Sequence, residues 1–405
     1  MAAQAEDVLK SRMAVARRVV DHIRHGTSDL AEAPMVNAAS VYTDPERHAR
    51  EREVLFKQTP QFVCLSTELA EPGAFRTFDE TGTPIVVVRQ GDGSVRAFLN
   101  ICVHRGARLV REAEGKAKRF TCWFHGWTFA ADGRLAAAPE AERFEGGMAG
   151  RDHLISVPAA ERHGMVFVVP TPGASMDIDA HLGAFGEILA GLNLEVAERV
   201  KTDILPVASN WKYALDTYGE GYHFAALHKQ TLAPYFRNDI TIYDRYDRHH
   251  RIGFVERDWE KWVDQPEESW GVRAEAAGIH YLFPNVVLFA GSVSPGKTYL
   301  TIFRHYPGEA PGETKTYKTI YAFGGVRSEE HRAEVEAAFD ATAHVVRTED
   351  YVTAAEGWKN LTALPPGATV VYGRQEIALQ HQHRALAEAI GMPLPQLNPI
   401  AQAAE

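Results

Sequence analysis

Two short motifs constrain this chain more than anything else in it. Cys102-Val103-His104 and Cys122-Trp123-Phe124-His125 each place a thiol and an imidazole on a few residues, with seventeen residues between the motifs. Side chains of these kinds, drawn to one place, mean a metal site held by two facing loops. Two Cys and two His could hold one tetrahedral zinc. The order, however, is Cys, His, Cys, His, whereas a zinc finger runs Cys, Cys, His, His. Two loops that each give one ligand of each kind suit a [2Fe-2S] cluster, in which one iron takes both thiolates and the other both imidazoles. The pairs Arg105-Gly106 and Gly126-Trp127 follow the ligand histidines. Glycine there lets the backbone turn close to the cluster and donate N–H groups to its sulfurs.

The surrounding sequence is that of a small β-domain. Runs rich in Val, Ile, Phe and Trp at Phe62–Leu65, Pro84–Arg89, Val95–Leu99, Phe120–Phe129 and Met165–Val169 read as strands, and Asp92-Gly93 and Asp132-Gly133 as hairpin turns. Before them, Leu9, Met13, Ala16, Val20 and Ile23 form one helical stripe, stopped at Gly26. Cys64 lies in an apolar run and reads as a buried, inert thiol. Three cysteines cannot build a disulfide framework, which points to a reducing, cytoplasmic setting. Glu6 and Asp7 near the start, where a secretory signal would be basic, argue against export. A net charge of −10 argues against a nucleic-acid partner, and no apolar run is long enough to span a bilayer.

The second constellation is Asn210–Gln230, NWKYALDTYGEGYHFAALHKQ, which puts Asp216, Glu220, His223 and His228 within thirteen residues. The spacing predicts a helix over 211–228. On it Asp216, Glu220 and His223 stand at i, i+4 and i+7 and share a face. His228 lies five residues on, about 140° round, so a regular helix cannot aim both rings at one ion and a distortion or helix end is expected between them. Gly219 and Gly221 mark a loosened or closely approached backbone. Further helices are expected at about 180–191, 328–358 and 373–390, with strands near 279–290, 298–306 and 314–323. The fold class is therefore α+β: an N-terminal helix and arm over 1–45, a small all-β cluster domain over 46–169, and a helix-grip-like domain of antiparallel sheet and helices over 174–405.

Taken together the two motifs resemble those of the catalytic (alpha) subunits of the Rieske non-heme iron oxygenases. The first continues into H-G-W-x-F as His125-Gly126-Trp127-Thr128-Phe129, and the second runs from N-W-K to E-x-Y-H-x4-H. The resemblance covers the chain after its first forty residues. It implies Cys102, His104, Cys122 and His125 as ligands of a Rieske [2Fe-2S] cluster, and His223 and His228 as ligands of a mononuclear Fe(II). Two histidines leave that iron one carboxylate short of a facial triad. Arg347-Thr348-Glu349-Asp350-Tyr351 is similar to the family's Glu-Asp pair, in which the Asp is the ligand. With Val335, Phe339 and Val346 as the inward stripe, Asp350 lies about 40° and Glu349 about 60° from its centre, so periodicity leaves both open and Asp350 rests on the resemblance. Trp358 and Trp123 depart from the family pattern, where glutamine and proline are usual.

The resemblance further implies an oxygenase component fed with electrons from NAD(P)H by a reductase, with or without a ferredoxin. It would activate O2 and hydroxylate, cis-dihydroxylate or oxidatively demethylate an apolar, aromatic or alicyclic substrate. His280–Phe289 looks like the family's substrate-lining F-P-N strand. Glu220 would bridge to the cluster of a neighbouring subunit, buttressed by Asp216 and Tyr222, which requires a cyclic oligomer, most simply a homotrimer, with or without a beta subunit. Two other readings stand beside this one: a Rieske electron-transfer or redox-sensing protein without oxygenase activity, and a zinc-stapled ligand-binding module.

Overall fold

The computed structural model describes residues 2–270, 278–294 and 296–397, with the side chains of 2–12 and Glu145 outside that description. The ends of the expected domain ranges, Met1 and 398–405, lie outside it too. Two compact units emerge: one is Arg52–Glu198, and the other joins the residues up to Glu51 to those from Arg199 onward. Among the described residues no helix is long and apolar enough to cross a membrane.

The first unit is built on a five-stranded sheet ordered Ser156–Val157, Val95–Leu99, Ile85–Arg89, Ala74–Phe78 and Glu114–Lys116. Two three-stranded sheets accompany it. Ile85–Arg89 is buried on both faces, as a run of Ile and Val demands. Gly93 and Gly133 take positive φ at the two hairpin turns. The run expected as one strand over Phe120–Phe129 is two, Arg119–Thr121 and Thr128–Ala130, with the second ligand motif in the loop between them. The core of the unit includes Phe75, Val86, Phe98, Phe120, Trp127, Phe129 and both cysteines of the motifs.

In the other unit a seven-stranded sheet runs in the order Ala197–Val207, Thr314–Phe323, Lys297–Pro307, Val286–Ser294, Ile279–Leu282, His249–Glu256 and Phe236–Tyr246. Its pairings from 236 to 323 are antiparallel. Glu329–Val345 and Tyr351–Leu361 form one long helix interrupted by a π-turn at Val346–Asp350. The expected inward stripe of Val335, Phe339 and Val346 is buried. Ala2–His25 is helical, ends at Gly26 with positive φ, and packs Val15, Ala16, Val19 and Val20 against Ile240, Ile242 and Trp259.

The helix expected over 211–228 is much shorter. It ends at Asp216, and the chain continues to His228 through turns. Leu379 fills the position that a Cβ on Gly219 would take, and Phe254 lies 3.0 Å from that of Gly221. The two glycines are therefore sites of close approach. Asp216, Glu220 and His223 do not share a helix face.

Candidate metal centres

The two loops of the cluster motif have the same backbone. Cys102 N donates to Ala107 O at 2.8 Å and Gly106 N to Cys102 O at 2.9 Å; Cys122 N donates to Trp127 O at 2.7 Å and Gly126 N to Cys122 O at 2.9 Å. Gly106 and Gly126 both have positive φ, which closes each loop at a cost only glycine escapes. The cysteines are free thiols buried in the core, whereas His104 is half-buried and His125 exposed. Burial pushes the Cys102 thiol up. The imidazoles sit edge to face at 4.6 Å, and His104 stacks on buried Trp127 at 4.8 Å.

Among the described residues His223, His228 and Asp350 put three donor atoms within 4.8 Å of one another. In the cluster loops, two buried thiols and two outer imidazoles fit a group with an inner and an outer iron.

The second centre is a point of convergence. His223 Nε2 and His228 Nε2 are 3.1 Å apart, and Asp350 Oδ1 lies 3.6 Å from the first and 3.3 Å from the second. The far nitrogen of each ring is engaged: His223 Nδ1 by Glu220 Oε1, and His228 Nδ1 by Glu349 Oε2 at 2.6 Å. A carboxylate at Nδ1 holds a proton there, which leaves each Nε2 to face the metal position, where it can give its lone pair to a metal ion. Two imidazole nitrogens and an anionic oxygen so placed call for a cation between them, a metal ion or a proton.

The charge balance says the same. Burial opposes charge on His223, but hydrogen bonding to Asp350 and Glu220 outweighs it and lifts the imidazole to about 9. His228 is raised in the same way. For Asp350, burial favours the neutral acid, yet the two imidazoles hold its carboxyl below the usual range. Without a metal the site draws in a proton instead.

The π-turn explains why periodicity could not choose between the acids. By widening one turn, it aims Asp350 at both Nε2 atoms while neighbouring Glu349 reaches the back of His228 and accepts from Thr231 Oγ1 at 2.9 Å. Asn210-Trp211-Lys212 is explained by a residue not singled out from sequence. Buried Glu51 accepts from Trp211 Nε1 at 2.9 Å, Lys212 Nζ at 2.5 Å and Arg47 Nε at 2.9 Å. Asn210 caps the short helix by accepting from Lys212 N at 3.0 Å.

Two expected buttresses of Glu220 are not in that position. Tyr222 is 62% exposed, and among the described residues no hydrogen bond joins it to Glu220. Once the helix stops at Asp216, residue 222 has no inward face to occupy. Asp216 is buried but turns away, toward Tyr42, Gln382 and His383. Glu220 instead accepts from His223 N at 3.1 Å as well as from the ring.

A cluster-binding β-unit and a two-histidine, one-carboxylate site on a helix-gripped sheet define a two-centre iron protein of the oxygenase class. Comparison with known proteins agrees. The Rieske [2Fe-2S] domain family matches residues 59–158, and the ring-hydroxylating alpha subunit catalytic domain family matches 193–392. The carnitine monooxygenase oxygenase subunit of Escherichia coli K12 is 30% identical over 74% of this chain and 78% of its own. The glycine betaine monooxygenase oxygenase subunit of Chromohalobacter salexigens is 30% identical over 57% of this chain and 51% of its own. A quaternary ammonium Rieske monooxygenase crystallised with L-carnitine shares the fold at a TM-score of 0.73 and 22% identity, covering 89% of this chain and 96% of that one. Naphthalene 1,2-dioxygenase with bound indole does so at 0.69 and 18%, covering 89% and 93%. This chain belongs to the Rieske non-heme iron oxygenases. It is the oxygenase component, an oxidoreductase with one [2Fe-2S] cluster and a mononuclear iron. Such components work with reductase partners.

Proposed function

We propose that His223, His228 and Asp350 hold the mononuclear iron, that Cys102, His104, Cys122 and His125 hold the cluster, and that Glu220 links the iron site to a cluster histidine of a neighbouring copy in a homotrimer. The observation that carries this is the meeting of two imidazole Nε2 atoms and one carboxylate oxygen, each ring tied behind by its own carboxylate. Bound iron would supply the one-electron and O2 chemistry that side chains lack. The chain's own task is to fix those donors, leave other positions round the metal open, and keep water from the reacting atoms. Glu220 fixes His223 by gripping both its backbone and its ring. The reductase partner, with or without a ferredoxin, draws on NAD(P)H, and the protein works in the cytoplasm.

For the substrate we infer an organic molecule that offers an apolar C–H to the site. Phe224 lies edge-on to His223 at 5.1 Å and packs on Phe254 at 4.9 Å, while Tyr218 and Phe289 both pack on Phe303. Rings of this kind hold an aromatic substrate by stacking. They also hold a trimethylammonium group through cation–π attraction, and the relatives named for carnitine and glycine betaine favour that second reading, in which hydroxylation of an N-methyl group leads to demethylation.

The test is O2 uptake by the reconstituted protein with a generic NADH-driven reductase, offered L-carnitine, glycine betaine, benzoate and indole in turn. Coupled uptake with one class, abolished in Asp350→Ala, is the expected result. Full activity in Asp350→Ala would remove the assigned iron site.

A further inference from the structure

Asp216 begins the turn that carries Glu220, yet its carboxylate is spent elsewhere. Tyr42 Oη donates to Asp216 Oδ2 at 2.5 Å, Gln382 Nε2 to Oδ1 at 2.9 Å, and His383 Nε2 to the same carboxylate at 2.9 Å. The Tyr42 hydroxyl hydrogen is thereby committed to Asp216, which leaves the Tyr372 hydroxyl, 2.6 Å away, to donate to Tyr42. Burial, with Asp216 beside it, holds the Tyr42 hydroxyl well above the usual phenol range, so it remains a donor.

These partners come from three remote parts of the unit: the N-terminal arm, the strand Thr369–Tyr372 and the helix Ile377–Ala389. The same helix sends Leu379 against Gly219, whose amide donates to Asp216 O at 2.9 Å. Asp216 and Gly219 thus fix the turn from two sides, and Glu220 is the very next residue. Among the described residues no hydrogen bond or ring contact joins this brace to the three donors round the metal position. A buried carboxylate is a costly way to fill a core unless the placement of the adjoining turn matters.

We propose that Asp216 is a positioning residue: through Tyr42, Gln382 and His383 it holds the turn on which Glu220 sits, and so governs how fast an electron reaches the metal position at His223. This rests on the reading of Glu220 as the link between copies. The net reaction is RH + O2 + 2e− + 2H+ → ROH + H2O, with both electrons supplied by the reductase, so a displaced link slows electron supply and leaves the metal donors intact.

The experiment needs no substrate. Holoprotein with oxidised cluster and ferric mononuclear iron receives about one electron per chain, anaerobically, from photoexcited deazaflavin. Decay of the reduced-cluster absorbance and of the ferric mononuclear EPR signal then reports transfer between the centres. Iron content and thermal melting are measured beside it, and Glu220→Gln serves as the reference. We expect Asp216→Asn to slow transfer at least tenfold with iron content unchanged, and Tyr42→Phe and His383→Gln to slow it less. Wild-type transfer in Asp216→Asn with slow transfer in Glu220→Gln overturns the brace. Loss of the mononuclear iron from both Asp216→Asn and the milder Tyr42→Phe also overturns it, since the network would then be holding the ligands. Wild-type transfer in Glu220→Gln overturns the reading of Glu220 itself.

Discussion

Replacing Glu349 with Ala separates the two acids that the sequence leaves side by side. Glu349 accepts from His228 Nδ1 at 2.6 Å and from Thr231 Oγ1 at 2.9 Å. It therefore reaches the metal position only through His228, whose proton it fixes on the far nitrogen. Without it, His228 can swap tautomers and turn. Losing such a partner behind a ligand histidine weakens metal binding by about ten- to a hundredfold, or about 1.4 to 2.7 kcal/mol. Asp350→Ala removes a ligand and should leave a site that does not retain iron through dialysis. The assay is competition for Fe(II) against a chelator of known affinity in anaerobic protein, with acid-labile sulfide as a count of intact cluster. Glu349→Ala should bind more weakly within that range, with sulfide unchanged. If Glu349→Ala loses the iron outright while Asp350→Ala keeps it, the roles of the two acids are reversed.

Other expectations come from the same geometry. Iron binding must expel the proton that Asp350 and Glu220 hold on His223, so Fe(II) affinity of the metal-free protein should rise at least about tenfold per pH unit as pH climbs toward about 9, then level off. Because that folded value is raised, the stabilisation of metal-free protein by His223 is full below pH 6.5 and lost as pH climbs through about 9, which melting curves at pH 6 and pH 9.5 would register. Cys122→Ser should cut iron from about three per chain to about one, with the remaining iron still lost on adding Asp350→Ala. Glu51→Ala leaves Lys212 buried without its carboxylate and should cost about 3 to 5 kcal/mol in urea melts.

Much of this protein is written in short-range chemistry. The cluster loops were legible because thiol and imidazole side chains at fixed spacing, each followed closely by glycine, leave few alternatives. His223 and His228 were legible for the same reason, although the helix expected to carry them stops at Asp216. A stripe of apolar residues predicted that the helix over 328–358 would bury Val335, Phe339 and Val346, and it does. Three strands of the catalytic sheet were missed. Ala197–Val207 mixes charged with apolar residues and buries only Ala197, Leu205 and Val207, Phe236–Tyr246 pairs across a bulge, and His249–Glu256 begins with two histidines and an arginine, so none shows the apolar run of a central strand. The direction of Asp350 was hidden because a π-turn breaks the regular helical period. Tyr42, Glu51 and His383 could not be found locally at all. Each acts on the 210–220 segment from more than 150 residues away, and each stands among other polar residues in the sequence, so nothing local marks it as buried.

The central claim is that the cluster of one chain serves the iron of another through Glu220. Mixed oligomers test it most directly. Chains carrying Cys122→Ser, which keep the mononuclear site, are assembled with chains carrying Asp350→Ala, which keep the cluster, and the mixture is reduced anaerobically by photoexcited deazaflavin. Loss of the ferric mononuclear EPR signal, absent when Cys122→Ser chains are reduced alone and absent again when they also carry Glu220→Gln, is the expected result. A ferric signal that persists in the mixture, while wild-type protein loses it within the same time, would place both centres of the relay in one chain and contradict the link between copies.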